Sequence, residues 1–287
     1  MNRLILHILA VLLLWGFPAF AAEVVVVQGE RMAPFEAAFH GFEATAGVRS
    51  VERFVLSDLR GADVARAVRE ARPRLVLAVG RDALARVRDI REIPVIYVMV
   101  PPSATADVTG RNVTGIEMDA PAERYLSLCV NQLGGKRVGI IHNPAKTGAL
   151  VQEARHAAER LGITLVIRRA DDPREAVREL SSLKGKVDAL WLLPDPTVVT
   201  RDTMESFALF SQQNRVPVVA FAPKYLQQGA VAAIEVDPAD MGRQAGRMAR
   251  RILDGASPHS ETPEHPAKTR LKVNTSVAQH LGITLKE

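Results

Sequence analysis

The sequence has little of the chemistry that marks most enzymes. Cys129 is the only cysteine among 287 residues, which excludes an intramolecular disulfide and a paired-cysteine metal motif. The patterns G-x-G-x-x-G, G-x-x-x-x-G-K-[ST], G-x-S-x-G and H-E-x-x-H are all missing. Their absence disfavours dinucleotide-binding enzymes, P-loop proteins, α/β-hydrolases and zinc proteases. We therefore expect a protein that is not an enzyme and holds no metal or cofactor.

Aromatic residues are also scarce, at 5%, so a core must rest on Val, Leu, Ile and Ala. The apolar share of 47% and the charged share of 24% are typical of a globular protein. The net charge is +5, but basic and acidic residues are interleaved, without the clustered basic face that nucleic acid requires. We expect no nucleic-acid partner. Cys129 lies in an apolar, helical stretch and is expected to be buried and unreactive.

The first 21 residues have the pattern of a cleavable secretory signal. Arg3 supplies a positive start, residues 4–17 form a nearly continuous apolar run, and Pro18 precedes small residues at Ala19 and Ala21. Cleavage is expected after Ala21. An uncleaved anchor is the alternative, but the run is short for a membrane span. No cysteine occurs at the cleavage site, so we expect a periplasmic protein without a lipid anchor there.

Short β-branched runs alternate with longer helical patterns along the rest of the chain, which predicts an α/β fold with parallel sheets and right-handed crossovers. The predicted strands are residues 23–27, 51–56, 75–79, 95–100, 137–142, 164–169, 189–193, 218–222, 231–236 and 271–274. The pattern restarts near residues 110–119, which predicts two Rossmann-like lobes joined by hinge crossovers. The predicted boundaries are residues 22–117 and 237–260 for lobe 1, and residues 118–236 and 261–287 for lobe 2.

The carboxyl ends of these strands are the expected ligand site, because ligands of open parallel sheets bind in the crevice outside those ends. Polar residues, Gly and Pro follow the strands at 28–29, 80–82, 99–102, 142–144, 194–197 and 222–225. Helix N-termini at such points favour a carboxylate or a phosphate. For any single one, ordinary turn chemistry is the better explanation, but it explains the whole set less well.

A Pro-rich loop at residues 256–268 carries two histidines and two glutamates, His259, His265, Glu261 and Glu264. A weak metal site is conceivable there. We interpret the loop as a solvated crossover instead.

Six stretches, in order along the chain, resemble a known family. They are Ile93-Pro94-Val95-Ile96-Tyr97, Asn112-Val113-Thr114-Gly115-Ile116, Arg137-Val138-Gly139-Ile140-Ile141-His142-Asn143-Pro144, Asp188-Ala189-Leu190-Trp191-Leu192-Leu193-Pro194-Asp195, residues 229–255 and residues 273–283. The chain resembles the ABC-transporter substrate-binding proteins of the tryptophan/tyrosine-type group. The resemblance implies the type I periplasmic-binding-protein fold, a ligand between the lobes, and a membrane permease as partner.

The resemblance and the strand ends together predict the ligand-binding residues. They are Gln28, Gly80, Arg81, Asp82, Met99, Val100, Pro101, Asn143, Asp195, Thr197, Ala222 and Pro223. The chain departs from the family where Arg81 replaces a small Thr or Ser and where Pro101-Pro102 replaces Asp-Pro. An aromatic amino acid is therefore not assumed as the ligand.

Two of these residues have specific predicted roles. Arg81 could grip a ligand carboxylate, or it could form a surface ion pair with Asp82. Asp195, between two prolines, is expected to present an accessible carboxylate to an ammonium group or to sugar hydroxyls; the alternative is a helix cap. On this view, Asp195→Asn should leave the fold intact.

The leading hypothesis is a monomeric solute-binding component of an ABC import system. A ligand-binding module of an envelope sensor is the alternative, and an enzyme on the same scaffold is the third possibility, because one fold hosts many functions. Closure should occur about hinges near residues 111–118, 236–238 and 256–268.

Overall fold

The computed structural model describes residues 22–59, 63–105, 108 and 112–283. The predicted signal at residues 1–21 lies outside the described residues. Within the described ranges, no helix combines the length and the apolar character that crossing a membrane demands. The chain forms two mostly parallel sheets covered by helices, which confirms the predicted two-lobe α/β class.

The first sheet has five parallel strands in the order β2-β1-β3-β4-β5. They are β1 (Val24–Gln28), β2 (Val51–Val55), β3 (Leu75–Val79), β4 (Val95–Val100) and β5 (Val113–Glu117). Its helices are α1 (Ala33–Ala46), α2 (Val64–Ala71) and α3 (Arg81–Val87), and a 3-10 turn (Pro102–Ala104) follows β4. Strands β1, β3 and β4 are wholly buried because apolar clusters cover both faces of the sheet.

The second sheet repeats this strand order and adds one antiparallel edge strand, giving β11-β10-β9-β8-β6-β7. The strands are β6 (Arg137–His142), β7 (Thr164–Arg169), β8 (Ala189–Trp191), β9 (Val218–Ala220), β10 (Ala232–Val236) and β11 (Thr269–Val273). The helices are α4 (Ala122–Asn131), α5 (Pro144–Leu161), α6 (Pro173–Ser182), α7 (Arg201–Asn214), α8 (Pro238–Leu253) and α9 (Thr275–Leu281), and a 3-10 turn (Pro223–Gln228) follows β9.

The chain passes between the two sheets three times. It leaves the first sheet after β5, returns after β10 to place α8 against α1, and leaves again after α8 to form β11. Helices α1 and α8 touch at their backbones, since a Cβ on Gly242 would lie 1.9 Å from the Ala38 carbonyl oxygen. In the third passage, Glu264 forms a parallel bridge with Ile116 at the edge of the first sheet. We call the first sheet with α1–α3 and α8 lobe 1, and the remainder lobe 2. The boundaries stated above stay a prediction.

The strands with continuous Val, Leu and Ile runs have the predicted bounds: β3, β4, β6 and β7 match residue for residue. Strands β8 and β9 each end two residues earlier than predicted. The chain there turns toward Pro194 and Pro223, which lack the N–H that continues a ladder.

Candidate functional site

The carboxyl ends of β1, β3 and β4 surround an open cavity of about 550 Å³ in lobe 1. Gly80 joins β3 to α3 with φ 93° and ψ 161°, a conformation that is essentially restricted to glycine. The ring of Phe35 packs on this glycine, so that a Cβ at Gly80 would lie 2.8 Å from it. Gly80 itself does not line the cavity, but its neighbours Phe35 and Arg81 do.

Met99 reaches the same cavity because of an irregularity in β4. Tyr97 lies opposite Gly115 and Val100 opposite Glu117, so three steps on β4 match two on β5, which is a β-bulge. The bulge gives Met99 a φ of 58° and places it in the same core cluster as its neighbour Val98. Val100 is fully buried in the cluster on the opposite face. Met99 and Pro101 line the cavity, and Val100 does not.

Arg81 and Asp82 stand at the rim of this cavity. Their side chains are 68% and 74% exposed, and Arg81 Nε lies 3.4 Å from Asp82 Oδ1. This is the predicted surface ion pair, but such an exposed contact contributes little stability. The guanidinium is therefore free to bind another anion.

Gln28 follows the same sheet edge but is fully buried, and its side chain is occupied. Its amide nitrogen donates to the Glu30 carbonyl oxygen (2.8 Å) and to Glu36 Oε1 (2.9 Å), and its oxygen accepts from Arg53 (2.7 Å). Arg53 also pairs with Glu36 and, by that hydrogen bond, lowers the pKa of the Glu36 carboxyl. In this structure Gln28 is hydrogen-bonded to Glu30, which lines the cavity, while a direct ligand contact stays a prediction.

The corresponding edge of lobe 2 is held by Asp195, which is only 1% exposed. Its Oδ2 accepts from the Asn143 N–H (2.7 Å) and from Thr147 Oγ1 (2.8 Å), and its Oδ1 accepts from the N–H groups of Thr197 (2.9 Å) and Val198 (3.4 Å). The expectation of an accessible carboxylate is therefore wrong. Four donors converge on Asp195 because it lies beneath the tips of both β6 and β8.

Asn143 and Thr197 meet above this carboxylate. Asn143 caps α5 by accepting from the Ala145 N–H (2.9 Å), and its amide nitrogen lies 3.3 Å from Thr197 Oγ1. Ala222 and Pro223 lie at the end of β9 and begin the 3-10 turn, and no described hydrogen bond joins them to the Asp195 group. Of the residues predicted in lobe 2, the structure thus brings Asn143, Asp195 and Thr197 together. A separate groove of about 710 Å³ on lobe 2 contains none of the predicted residues.

A second cavity, of about 300 Å³, lies between the lobes, and sequence reasoning missed its residues. Lobe 1 and the first passage contribute Glu117 and Asp119, α5 contributes Lys146 and Glu153, and the third passage contributes His265. The signal available in the sequence was limited to Glu117 and His265, which lie inside two predicted hinge segments, and to Asp119, one residue beyond the first. These residues are scattered over about 150 positions, so only the fold shows that they meet.

Two carboxyls of this cavity, those of Glu117 and Asp119, have raised pKa values. Burial raises the pKa of Glu117, although the hydrogen bond from the Tyr97 hydroxyl (2.9 Å) opposes the shift. Burial, followed by the charges of Glu117 and Glu153, raises the pKa of Asp119 well above its usual range. Concentrating acidic groups away from water therefore creates a site that favours a positive charge.

Among the described residues, no group of three or more His, Cys, Asp or Glu side chains is arranged to hold a metal ion. Glu261 and Glu264 both pair with Arg251 (2.7 Å each), and the hydrogen bond with Arg251 lowers the pKa of Glu261. Cys129 is buried, as predicted, and burial raises the pKa of its thiol to about 12.

Comparison with known proteins gives the same architecture. A ligand-free, open structure of a substrate binding protein with adhesive properties from Clostridium difficile is similar, with a TM-score of 0.70, 21% identity, and 92% of this chain and 95% of that chain covered. A Streptococcus ABC domain in complex with L-Trp has a TM-score of 0.62, 20% identity, and coverage of 93% and 96%. Identities this low support the fold alone, the two-lobed type predicted above.

Sequence comparison is more specific about the family. A curated tyrosine-binding protein of Clostridioides difficile is 25% identical over 184 residues, which is 61% of this chain. The match covers 53% of that protein, so the chain spans about half the length of the curated relative it matches. The model of the family described as ABC transporter substrate binding protein matches residues 57–287, most of the sequence. This chain belongs to the ABC transporter substrate binding protein family.

Proposed function

We propose that this chain is the periplasmic solute-binding component of an ABC import system and that it binds a small, amino-acid-like ligand between its lobes. The observation that carries the proposal is the cavity lined by residues from both lobes and from two of the chain passages that join them. A ligand held by both lobes stabilises their closed arrangement, and closure about the three passages hides it from water.

The class of ligand is supported by the site and by the relatives. Buried carboxyls line the interlobe cavity, and an exposed guanidinium at Arg81 lines the adjoining one. Consecutive residues, Pro101 and Pro102, line one cavity each, so the two cavities neighbour each other. Carboxyl groups in one cavity and a guanidinium in the other suit a zwitterion, which carries both an ammonium group and a carboxylate. The names of two relatives mention tyrosine and L-Trp.

The first experiment is a thermal-shift screen of the mature protein against the twenty common L-amino acids, with calorimetry on those that respond. A ligand at about 100 times its Kd should add roughly 2.7 kcal/mol of stability, a rise of several degrees in melting temperature. D-glucose and ribose serve as controls. If none of the amino acids raises the melting temperature, the proposed ligand class is wrong.

Closure and import need separate measurements. Small-angle scattering with saturating ligand should show a smaller radius of gyration than without it, whereas an unchanged radius would contradict hinge closure. Uptake of the identified amino acid should fall in cells that lack this chain. Unchanged uptake would leave binding intact but would contradict a role in import and favour sensing.

A further inference from the structure

The interlobe cavity has more acidic than basic side chains. Three carboxyl groups line it, from Glu117, Asp119 and Glu153, against Lys146 and the imidazole of His265. Lys146 makes no ion pair with any described residue. His265 is 3.7 Å from Glu153 Oε1 and directs its Nδ1 toward the backbone oxygen of Asp119 (3.2 Å). The imidazole therefore leaves the carboxylate of Asp119 without a counter-ion.

The three carboxylates differ in whether they already have donors. Glu117 accepts from the Tyr97 hydroxyl, and Glu153 accepts from the Ala122 N–H (2.7 Å). Asp119 is only 6% exposed, and its Oδ1 is buried without any hydrogen-bond partner. A buried polar atom without a partner is costly, so its retention at a cavity wall points to a donor that arrives from outside.

An ammonium group fits these observations better than other cations. It brings three N–H donors and a full positive charge, whereas the cavity offers one free carboxylate oxygen and two further carboxylates with lone pairs to spare. The described side chains are not arranged for a metal ion. At about 300 Å³, the cavity has room for an amino group and the carbon chain that carries it.

We propose that Asp119 is the residue that binds the ammonium group of the ligand, with Glu117 and Glu153 completing the negative surroundings. This inference rests on the proposed function and deepens it. It assigns the amino end of the ligand to the first chain passage between the lobes. The ligand would then stabilise closure at the passage itself, because its strongest charge contact lies where the lobes are joined.

The stability of the ligand-free protein separates this role from a structural one. The raised pKa of Asp119 means that the folded state holds its proton more tightly than the unfolded state. As pH rises above the ordinary range of an aspartate, ionising Asp119 therefore costs stability. The groups that surround it are Glu117, Glu153, Tyr125, Lys146 and His265. Asp119→Asn should raise the melting temperature at pH 7.5, and the gain should shrink as the pH falls toward 4.

The binding experiment uses Asp119→Asn, with Asp202→Asn as the matched control. Asp202 is exposed in the first turn of α7, so its substitution makes the same chemical change outside the cavity. The probes are L-tyrosine, tyramine, which lacks the carboxylate, and 3-(4-hydroxyphenyl)propionate, which lacks the ammonium group. The corresponding set, L-tryptophan, tryptamine and indole-3-propionate, and the simple diamine putrescine complete the panel.

Asp119→Asn should lose about 10- to 100-fold in affinity for the amine-bearing probes, as expected for a charge-assisted hydrogen bond. Its affinity for the deaminated acids should be unchanged or higher, and Asp202→Asn should bind every probe like the wild type. Equal binding of amine-bearing probes by Asp119→Asn and wild type would overturn the assignment. So would equal losses for probes with and without the ammonium group, which would indicate a structural role.

The results with the different probes also distinguish a failure of this inference from a failure of the proposed function. If wild-type protein binds tyramine, tryptamine or putrescine through Asp119 but binds no amino acid, the ammonium site stands and the amino-acid class is wrong. If amino acids bind and Asp119→Asn binds them equally, the proposed function stands and the ammonium site is wrong. Binding of neither class by the wild type would overturn both.

Discussion

The two lobes have the same strand order at the cleft but different means of shaping their edges. In lobe 2 a buried carboxylate, Asp195, ties together the tips of β6 and β8 through four accepted hydrogen bonds. In lobe 1 the shape comes from the backbone, from Gly80 at positive φ and from the bulge at Met99. The charged side chain at that edge, Arg81, is left exposed.

This difference teaches that a polar residue at a strand tip need not be a ligand contact. Where side-chain hydrogen bonds shape the end of a strand, the polar groups there are already bonded to the protein. Where the backbone conformation shapes it, the polar side chains remain available to a ligand. From the sequence, Asp195 is the first candidate for binding and Arg81 a second one. The structure assigns the first to holding lobe 2 together and leaves the second free to bind.

The largest effect should come from Asp195→Ala. Removing the buried carboxylate leaves four donors without an acceptor, which should lower the free energy of unfolding by roughly 2–4 kcal/mol. Asp195→Asn should also be destabilising, against the expectation from the sequence, because its NH₂ group would face donors. The matched control is Asp82→Ala at the exposed edge of lobe 1, which should cost less than about 1 kcal/mol. If urea unfolding shows that Asp195→Ala and Asp82→Ala lower the free energy of unfolding equally, the proposed difference between the lobes is wrong.

A smaller effect is expected from Gly80→Ala. The backbone there is almost exclusively adopted by glycine, and the new Cβ would meet the Phe35 ring, so we expect a loss of about 1–3 kcal/mol. Gly134→Ala is the control, since Gly134 has φ 68° but no atom within 4 Å of an added Cβ. Urea unfolding of both variants compares Gly80 with a positive-φ glycine at which an added Cβ meets no clash. A Gly80→Ala loss no larger than that of Gly134→Ala would show that the packing on Phe35 adds nothing.

The smallest change in stability, with a clear change in binding, should come from Arg81→Ala. The side chain is largely exposed, so the melting temperature should stay within about a degree of the wild type. Affinity for an amino acid should fall about tenfold, and affinity for the matching amine without a carboxylate should not change. Arg66→Ala, which breaks another exposed ion pair, is the control for calorimetry. Unchanged affinity for the amino acid would remove Arg81 from the site.

Much of the fold could be predicted because its strands are buried on both faces. A run such as Leu75–Val79 contains only apolar residues and is buried throughout, so the strand begins and ends where the apolar run does. The bulge in β4 could not be predicted, because Val98, Met99 and Val100 are equally apolar and only the pairing with β5 decides which way each one faces. For the same reason Val100 was predicted beside Met99 in the site.

The sequence by itself determined the fold class, the burial of Cys129 and the bounds of strands such as β3 and β4, because these depend on local apolar patterns and on where Gly and Pro interrupt them. Only the tertiary structure decided which polar groups are free. Asp195 and Asp119 are both aspartates near the ends of buried strands, yet the first accepts four hydrogen bonds and the second has an oxygen with none. The partners of each come from segments far apart in the chain, so their presence or absence depends on long-range packing that no local pattern encodes.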